Sequence, residues 1–376
     1  MATIKNVQLT LLIGPTVPLP VPRPVMEALD SVEVTTSAGS RSGFRLAFML
    51  SNRSPLHTFF LIAANAQPLA LRVILVATIN GTPNVLADGV ITRQEIAPAG
   101  GGMSTLSIIG EDLTTVMDRT EFNGIPYPAM PAEARIALIL AKYAMFGIIP
   151  LIVPAIFQDI PIPTDRIPSH DGTDLAYINR LAEDVGHTFY IDPGPVPGTN
   201  TAYWGPEIKV GVPQPALNYD MDAFTNVESL TFNVRHNEAE LPIVFIQEPI
   251  SKALIPIPIP PVNPLQPPLG VAPPFPTKIN LMKDTAKLSP IAALAKGVAA
   301  ASKSADYVEG QGSLNVLRYG RLLKARQLVG VRGVGMAFDG LYYVKSVTST
   351  LKQGEFKQKF SLTRNALVSI TPTVPV

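Results

Sequence analysis

The sequence predicts a mainly β fold with α+β insertions, in which two related β-modules flank a helix-containing middle segment. Three observations predict it. Near the C-terminus the chain reads Asp339-Gly340, an alternating strand Leu341-Tyr342-Tyr343-Val344-Lys345-Ser346-Val347, a turn Gln353-Gly354-Glu355, and a second strand over residues 356–362. Near the N-terminus the same order recurs in degraded form, as Asp88-Gly89, Val90-Ile91-Thr92-Arg93-Gln94-Glu95-Ile96, Gly100-Gly101-Gly102 and residues 104–110. Each is an Asp-Gly turn, a strand, a glycine loop and a second strand, the signature of a hairpin. Helical spacing, the third observation, is confined to the stretch between the two hairpins.

Taken in order, residues 1–118 form the first module. Pro15, Pro18, Pro20, Pro22 and Pro24 predict an extended arm after a short apolar strand at residues 7–13. Val32 and Val34 alternate with polar residues, as do Phe44, Leu46 and Phe48, and residues 71–79 are a β-branched run closed by Asn80-Gly81. An α+β middle domain is expected over 119–224. Pro131 opens a helix running to about residue 145. A second helix follows Asp171-Gly172-Thr173-Asp174, with Asp171 as cap and Asp174 at the positive end of the dipole. Its apolar face is Leu175, Ile178, Leu181, Ala182 and Val185, Gly186 ends it, and residues 187–192 form a strand against it. Residues 225–241 give the first strand of the second module. Within the insertion at 242–304, twelve of the 35 residues from 242 to 276 are proline, interleaved with Ile, Leu and Val. This predicts a polyproline strap of about 3 Å per residue, neither helix nor central strand, lying on a neighbour's surface. Ser289-Pro290 then starts an alanine-rich helix, and residues 305–376 complete the second module.

Composition narrows the function classes. A net charge of +1, with no Lys/Arg run, gives no electrostatic footprint for nucleic-acid recognition. With 16% charged and 47% hydrophobic residues, the surface reads as one buried in an assembly. Cysteine is absent, which excludes disulfides, cysteine metal sites and a cysteine nucleophile. The N-terminus lacks the features of a signal peptide. The best membrane candidate, residues 134–157, is interrupted by Arg135 and Lys142 and broken by Pro150 and Pro154. Each charge costs about 2.5–3.5 kcal/mol at a membrane centre, so a core helix is expected and no stable membrane insertion.

Reactive constellations are sparse. No phosphate loop and no nucleophile elbow occur, and residues 333–338 miss the dinucleotide fingerprint and read as a turn. His57, His170, His187 and His236 fall at no zinc spacing. His170-Asp171 and His187 bracket one helix, where capping and turn roles are favoured over a metal or acid–base site. Glu183-Asp184 reads as a solvated face. Trp204, Tyr342 and Tyr343 read as packing residues, with a ligand groove as the alternative. No catalytic, cofactor-binding or metal set emerges, and a non-enzymatic role is expected.

The run Asp174-Leu175-Ala176-Tyr177-Ile178-Asn179-Arg180-Leu181-Ala182-Glu183-Asp184-Val185-Gly186-His187-Thr188-Phe189-Tyr190-Ile191-Asp192 resembles the helix–strand unit of the late control protein D family. That family comprises baseplate hubs of contractile phage tails and the hub portion of type VI secretion VgrG spikes. The runs Gly312-Ser313-Leu314-Asn315-Val316-Leu317-Arg318-Tyr319-Gly320-Arg321 and Leu328-Val329-Gly330-Val331-Arg332-Gly333, with the late hairpin, are similar to hubs of phage-tail-like contractile injection systems. The resemblance covers residues 31–367 outside the proline-rich stretch. It implies two tandem tube-like antiparallel β-barrel domains per chain and a homotrimer forming a pseudo-sixfold ring. Inner tube proteins would sit on one face and a trimeric spike on the other, beside other baseplate components. It also implies assembly in the bacterial cytoplasm into a phage virion baseplate or a phage-tail-like injection particle. VgrG proteins continue into a β-helical spike, whereas this sequence ends at Val376, so a separate spike protein is expected. Two alternatives stay open: a tail-associated cell-wall hydrolase using Asp171, Asp174 and His187, and a carbohydrate-binding β-protein stacking sugars on Trp204, Tyr342 and Tyr343.

Overall fold

The computed structural model describes residues 7–51, 54, 71–156, 160–164, 167–236, 239–248, 251, 253–260, 266–283, 285 and 288–370. Strands β1 (Val7–Gly14) and β2 (Leu19–Pro20) lead through α1 (Arg23–Ala28) to β3 (Leu29–Ser37), β4 (Gly43–Ser51), β5 (Arg72–Ile79), β6 (Thr82–Gly100) and β7 (Met103–Asp112). The short α2 (Thr114–Met117) precedes α3 (Ala132–Ala141), β8 (Ile148–Ile152), α4 (Asp174–Val185), β9 (Thr188–Pro193) and β10 (Asn200–Gly205). Next come β11 (Gln214–Asn218), β12 (Val227–Val234), β13 (Glu240–Gln247), β14 (Leu254–Pro258), β15 (Gly270–Ala272), β16 (Lys278–Leu281) and α5 (Pro290–Ser304). The chain finishes with β17 (Val308–Asn315), α6 (Val316–Tyr319), β18 (Leu328–Arg332), β19 (Gly340–Lys352), β20 (Glu355–Arg364) and β21 (Leu367–Ser369). The fold is mainly antiparallel β, as the alternation predicts.

Pairing repeats between the two halves. The first half runs β3-β4-β7-β6-β5-β1 and the second β12-β17-β20-β19-β18-β11. Even the irregularities correspond. Register shifts occur between Leu29 and Ser31 in β3 and between Val227 and Ser229 in β12. They recur between Ile91 and Arg93 in β6 and between Val344 and Ser346 in β19. One departure is that β1 runs antiparallel to β5, whereas β11 runs parallel to β18.

The halves meet edge to edge. β3 pairs with the second half of β19, from Ser37 opposite Ser346 to Ser31 opposite Lys352. Beneath this seam Val32, Val34, Leu46 and Leu106 share one core with Val347, Leu351, Phe356 and Phe360, all at most 4% exposed. Each such side chain contributes about 1.5–3 kcal/mol on burial, so apolar packing and ladder bonds both hold the seam. A second core gathers Ile136, Ile139, Ile178, Ile191 and Trp204 around α3, α4 and the β8-β10-β9 sheet.

Several expectations are corrected. The proline-rich arm is only partly extended, because residues 23–28 form α1. Pro24 lies in its first turn, where a missing N–H leaves no helix bond unmade. Asp88-Gly89 is no turn but the interior of the 19-residue β6. A Cβ on Gly89 would lie 2.1 Å from the Glu111 carbonyl oxygen, so glycine serves the close approach of β7. The true reversals are Asn80-Gly81, with φ of +50° and +83°, and the glycine loop at 100–102. Thr173, not Asp171, caps α4, its Oγ1 accepting the Ala176 N–H at 3.2 Å. The segment 134–157 becomes α3, a turn and the strand β8. Among the described residues no helix is long and apolar enough to cross a membrane.

The strap is also corrected: residues 254–258 form strand β14 on β13, and Pro242 lies within β13, the central strand of a β14-β13-β16 sheet. Proline every second residue matches the period of a strand. Ile259 donates its N–H to the Pro242 carbonyl at 2.9 Å, so Ile255 and Ile257 present theirs to the same side. The missing N–H groups of Pro256 and Pro258 therefore fall on the outer edge, which cannot accept another strand. Pro242 sits before the β14 ladder begins at Ile243 opposite Pro258 and supplies only its carbonyl. The sheet packs on the chain's own α5, where a Cβ on Gly297 would meet Ile259 and Val244 at 2.7 and 2.8 Å. Residues 261–265 of the strap lie outside the described residues.

Candidate assembly surface

Across the eight-strand band β12-β17-β20-β19-β3-β4-β7-β6, one face belongs to the core and the other is polar. Alternation along each strand places hydroxyls in rows across it. One row reads Ser229, Ser313, Lys359, Thr348 and Thr35, and the next reads Thr231, Gln311, Ser361, Ser346 and Ser37. Oxygen pairs bridge strands within these rows at 2.8 Å for Ser229–Ser313, 2.6 Å for Ser346–Ser361 and 3.0 Å for Thr35–Thr348, the last across the seam. Farther along, Arg45 Nη2 donates to Ser107 Oγ at 3.1 Å. Lys357 is matched by Glu228 and Glu355, and Arg93 by Glu95. The face is therefore mainly polar, with Met49 and Met103 exposed toward one end of β4 and β7.

The band ends differently at its two sides. β6 pairs β5 only as far as Val90, and its second half pairs only β7 among the described residues. β12 pairs only β17. By the repeat, the second half of β6 is the counterpart of the part of β19 that pairs β3, and β12 is the counterpart of β3. Among the described residues of one chain, the seam β19·β3 thus has an unmet twin in β6·β12.

Behind this face, buried ion pairs fasten the parts. Arg72 Nε and Nη2 donate to the two oxygens of Asp88, both at 2.7 Å, with side chains 3% and 0% exposed. Arg72 also donates to the carbonyls of Thr16, Phe146 and Gly198, and Asn200 Nδ2 donates to Asp88 at 2.9 Å, so the pair rivets the first module to the middle domain. Arg326, at φ +64°, donates to Asp192, to the Ser37 carbonyl at 2.6 Å and to Ser42 Oγ at 3.2 Å. It lies over the Tyr190 ring at 3.8 Å and so joins all three parts. Sequence reasoning missed both pairs; the available signal was an arginine opening an apolar strand, since a buried charge needs a partner.

Of the residues singled out for chemistry, His170 and Asp174 come together, whereas Asp171 and His187 do not join them. His170 is buried against Tyr127 Oη (3.0 Å) and the Tyr177 ring (4.4 Å between centroids), with Asp174 at 3.5 Å. Asp174 is itself held by Lys142 and Tyr143. Asp171 is turned outward to Arg180. His187 packs edge-on to Trp204 beyond the other end of the twelve-residue α4, about 18 Å away at 1.5 Å per residue. Trp204, Tyr342 and Tyr343 are at most 2% exposed, which removes the sugar-stacking alternative. Asp184 faces Lys296 at 3.6 Å. Among the described residues no group of three His, Asp or Glu could hold a metal. His57 lies outside the described residues and His236 is exposed in a turn.

One pH effect follows. Burial lowers the His187 pKa from 6.5 to about 4. Between those values the unfolded chain binds the proton and the folded chain does not, so stability is lost as pH falls through that window. At about 1.4 kcal/mol per pKa unit, reduced for partial exposure, the loss is about 1–3 kcal/mol. Urea midpoints at pH 7 and pH 4.5 should differ by that much more in the wild type than in His187→Gln.

Comparisons with known proteins give the fold. No protein-family model and no curated protein matches the sequence. Among solved structures, the chain is similar to a tail protein from Neisseria meningitidis MC58, with a TM-score of 0.65 at 12% identity over 96% of this chain and 97% of that one. It is similar also to the 43 kDa tail protein of prophage MuSo2 from Shewanella oneidensis, with a TM-score of 0.62 at 13% identity over 96% and 99%. An Escherichia coli component of the type VI secretion system, itself similar in structure to T4 bacteriophage tail proteins, aligns with a TM-score of 0.55 at 10% identity over 93% and 76%. The fold is therefore one shared with phage tail proteins and type VI secretion components.

Proposed function

We propose that this chain is a structural, non-enzymatic baseplate hub of a contractile tail or contractile injection system. Three copies close into a pseudo-sixfold ring that joins an inner tube to a separate trimeric spike. The observation that carries this reading is the unmet β6·β12 pairing. Two related modules pair through β19·β3 inside the chain, and the same contact between β6 of one copy and β12 of the next continues the band head to tail until it closes. Shared fold over nearly the whole length of tail proteins supports the same reading. In the ring, the hydroxyl-rich face would line the central channel. The number three and the identities of tube and spike come from the resemblance to late control protein D and VgrG hubs.

Mass photometry tests the assembly. The expected particle is three times the 40.3 kDa chain, alone or with tube and spike proteins present. A stable monomer at micromolar concentration, unchanged by those partners, would falsify it. Strand contact is tested separately. The seam pair Thr350–Glu33 corresponds by the repeat to Ala97 and Thr231 of adjacent copies. In a chain without native cysteine, Ala97→Cys with Thr231→Cys should give intermolecular disulfides running to a closed trimer on a non-reducing gel.

A further inference from the structure

Between α3, α4 and α5, where the middle domain meets the insertion, lies a cavity of about 280 Å³. That is close to the roughly 300 Å³ at which small-ligand pockets begin. Its walls mix polar and charged residues with apolar ones, among them Leu181, Leu288, Ala292 and Ala295. Arg135 and Tyr177 share one part of the wall. There Arg135, 7% exposed, donates from Nη1 to Tyr177 Oη at 2.7 Å and from Nε to the Pro131 carbonyl at 3.4 Å. Its Nη2 has no hydrogen-bond partner and its charge no carboxylate partner among the described residues.

The acids nearby are otherwise engaged. Glu133 accepts the Ala155 N–H at 3.2 Å, Asp184 faces Lys296, and Asp171 holds Arg180 at 2.8 Å. The guanidinium carbons of Arg135 and Arg180 lie 5.9 and 5.2 Å from the Tyr177 ring centroid, and of the two only Arg180 has a carboxylate partner among the described residues. A buried guanidinium without counter-charge is costly, and a site that leaves one facing a cavity walled in part by Leu181, Leu288, Ala292 and Ala295 is complementary to an anion with an apolar body.

We propose that this cavity binds a small carboxylate carrying a short apolar chain, with the carboxylate on Arg135 and the chain against α5. The site is independent of ring formation. Calorimetry with hexanoate on the full chain tests it, with hexan-1-ol and hexylamine as isosteres lacking the negative charge. Saturable hexanoate binding at least tenfold tighter than either isostere is expected. Arg135→Gln should weaken it at least tenfold. Ala292→Leu, which fills the chamber from α5 without touching Arg135, should abolish it. If Arg135→Gln does not fold, the Ala292→Leu result decides. Absence of saturable hexanoate binding, equal affinity for hexan-1-ol, or unchanged affinity in Ala292→Leu overturns the proposal.

Discussion

Arg72→Ala is expected to lower unfolding stability by about 3–5 kcal/mol, the cost of stranding one member of a buried ion pair. Asp88 would be left at 0% exposure with only the Asn200 amide for company, and three carbonyls would lose a donor. The loss is one of broken pairing rather than of charge as such. Replacing both partners with apolar residues of similar size, Arg72→Met with Asp88→Leu, should therefore recover most of it. Urea denaturation of the two single variants and the double variant measures the coupling. Additive losses in the double variant would show that the two side chains act separately.

Arg326→Ala should cost about 3 kcal/mol, since the guanidinium makes several hydrogen bonds worth about 1.5–3 kcal/mol each that do not simply add. The more telling result is where the damage appears. Arg326 ties Asp192 of the middle domain to Ser37 and Ser42 of the first module, so faster amide exchange should concentrate at residues 37–42 and 188–193. Its left-handed backbone supplies a control. Arg326→Gly relieves the φ of +64° and should be more stable than Arg326→Ala by about 0.4–1 kcal/mol, with the same loosening at the joint. Exchange spread evenly over the chain would mean that Arg326 is not a joint.

How much was legible follows from the range of the interactions involved. The late hairpin, the Asn80-Gly81 reversal and the face of α4 are written in neighbours a few residues apart, and they form as read. Asp88-Gly89 carries the same local turn signal, yet its conformation is decided by Arg72 sixteen residues away and by the backbone of Glu111. The Ile-Pro alternation was read through what each proline forbids, when what mattered was that all the forbidden bonds fall on one edge. Arg135, noticed only as an interruption in an apolar run, turned out to line a cavity between three helices. The polar face could not be seen at all without register, because its rows are made of single residues from different strands.

The contact between Thr35 and Thr348 spans 313 positions of sequence. During synthesis the open side of β3 must therefore wait for nearly the whole polypeptide before its permanent neighbour leaves the ribosome. Long-range closure of this kind is slow, and an unsatisfied strand is a target for wrong partners in the meantime. A cell making many copies at once would gain from whatever shields that border, and nascent chains truncated before residue 346 should be far more prone to clump than the finished product.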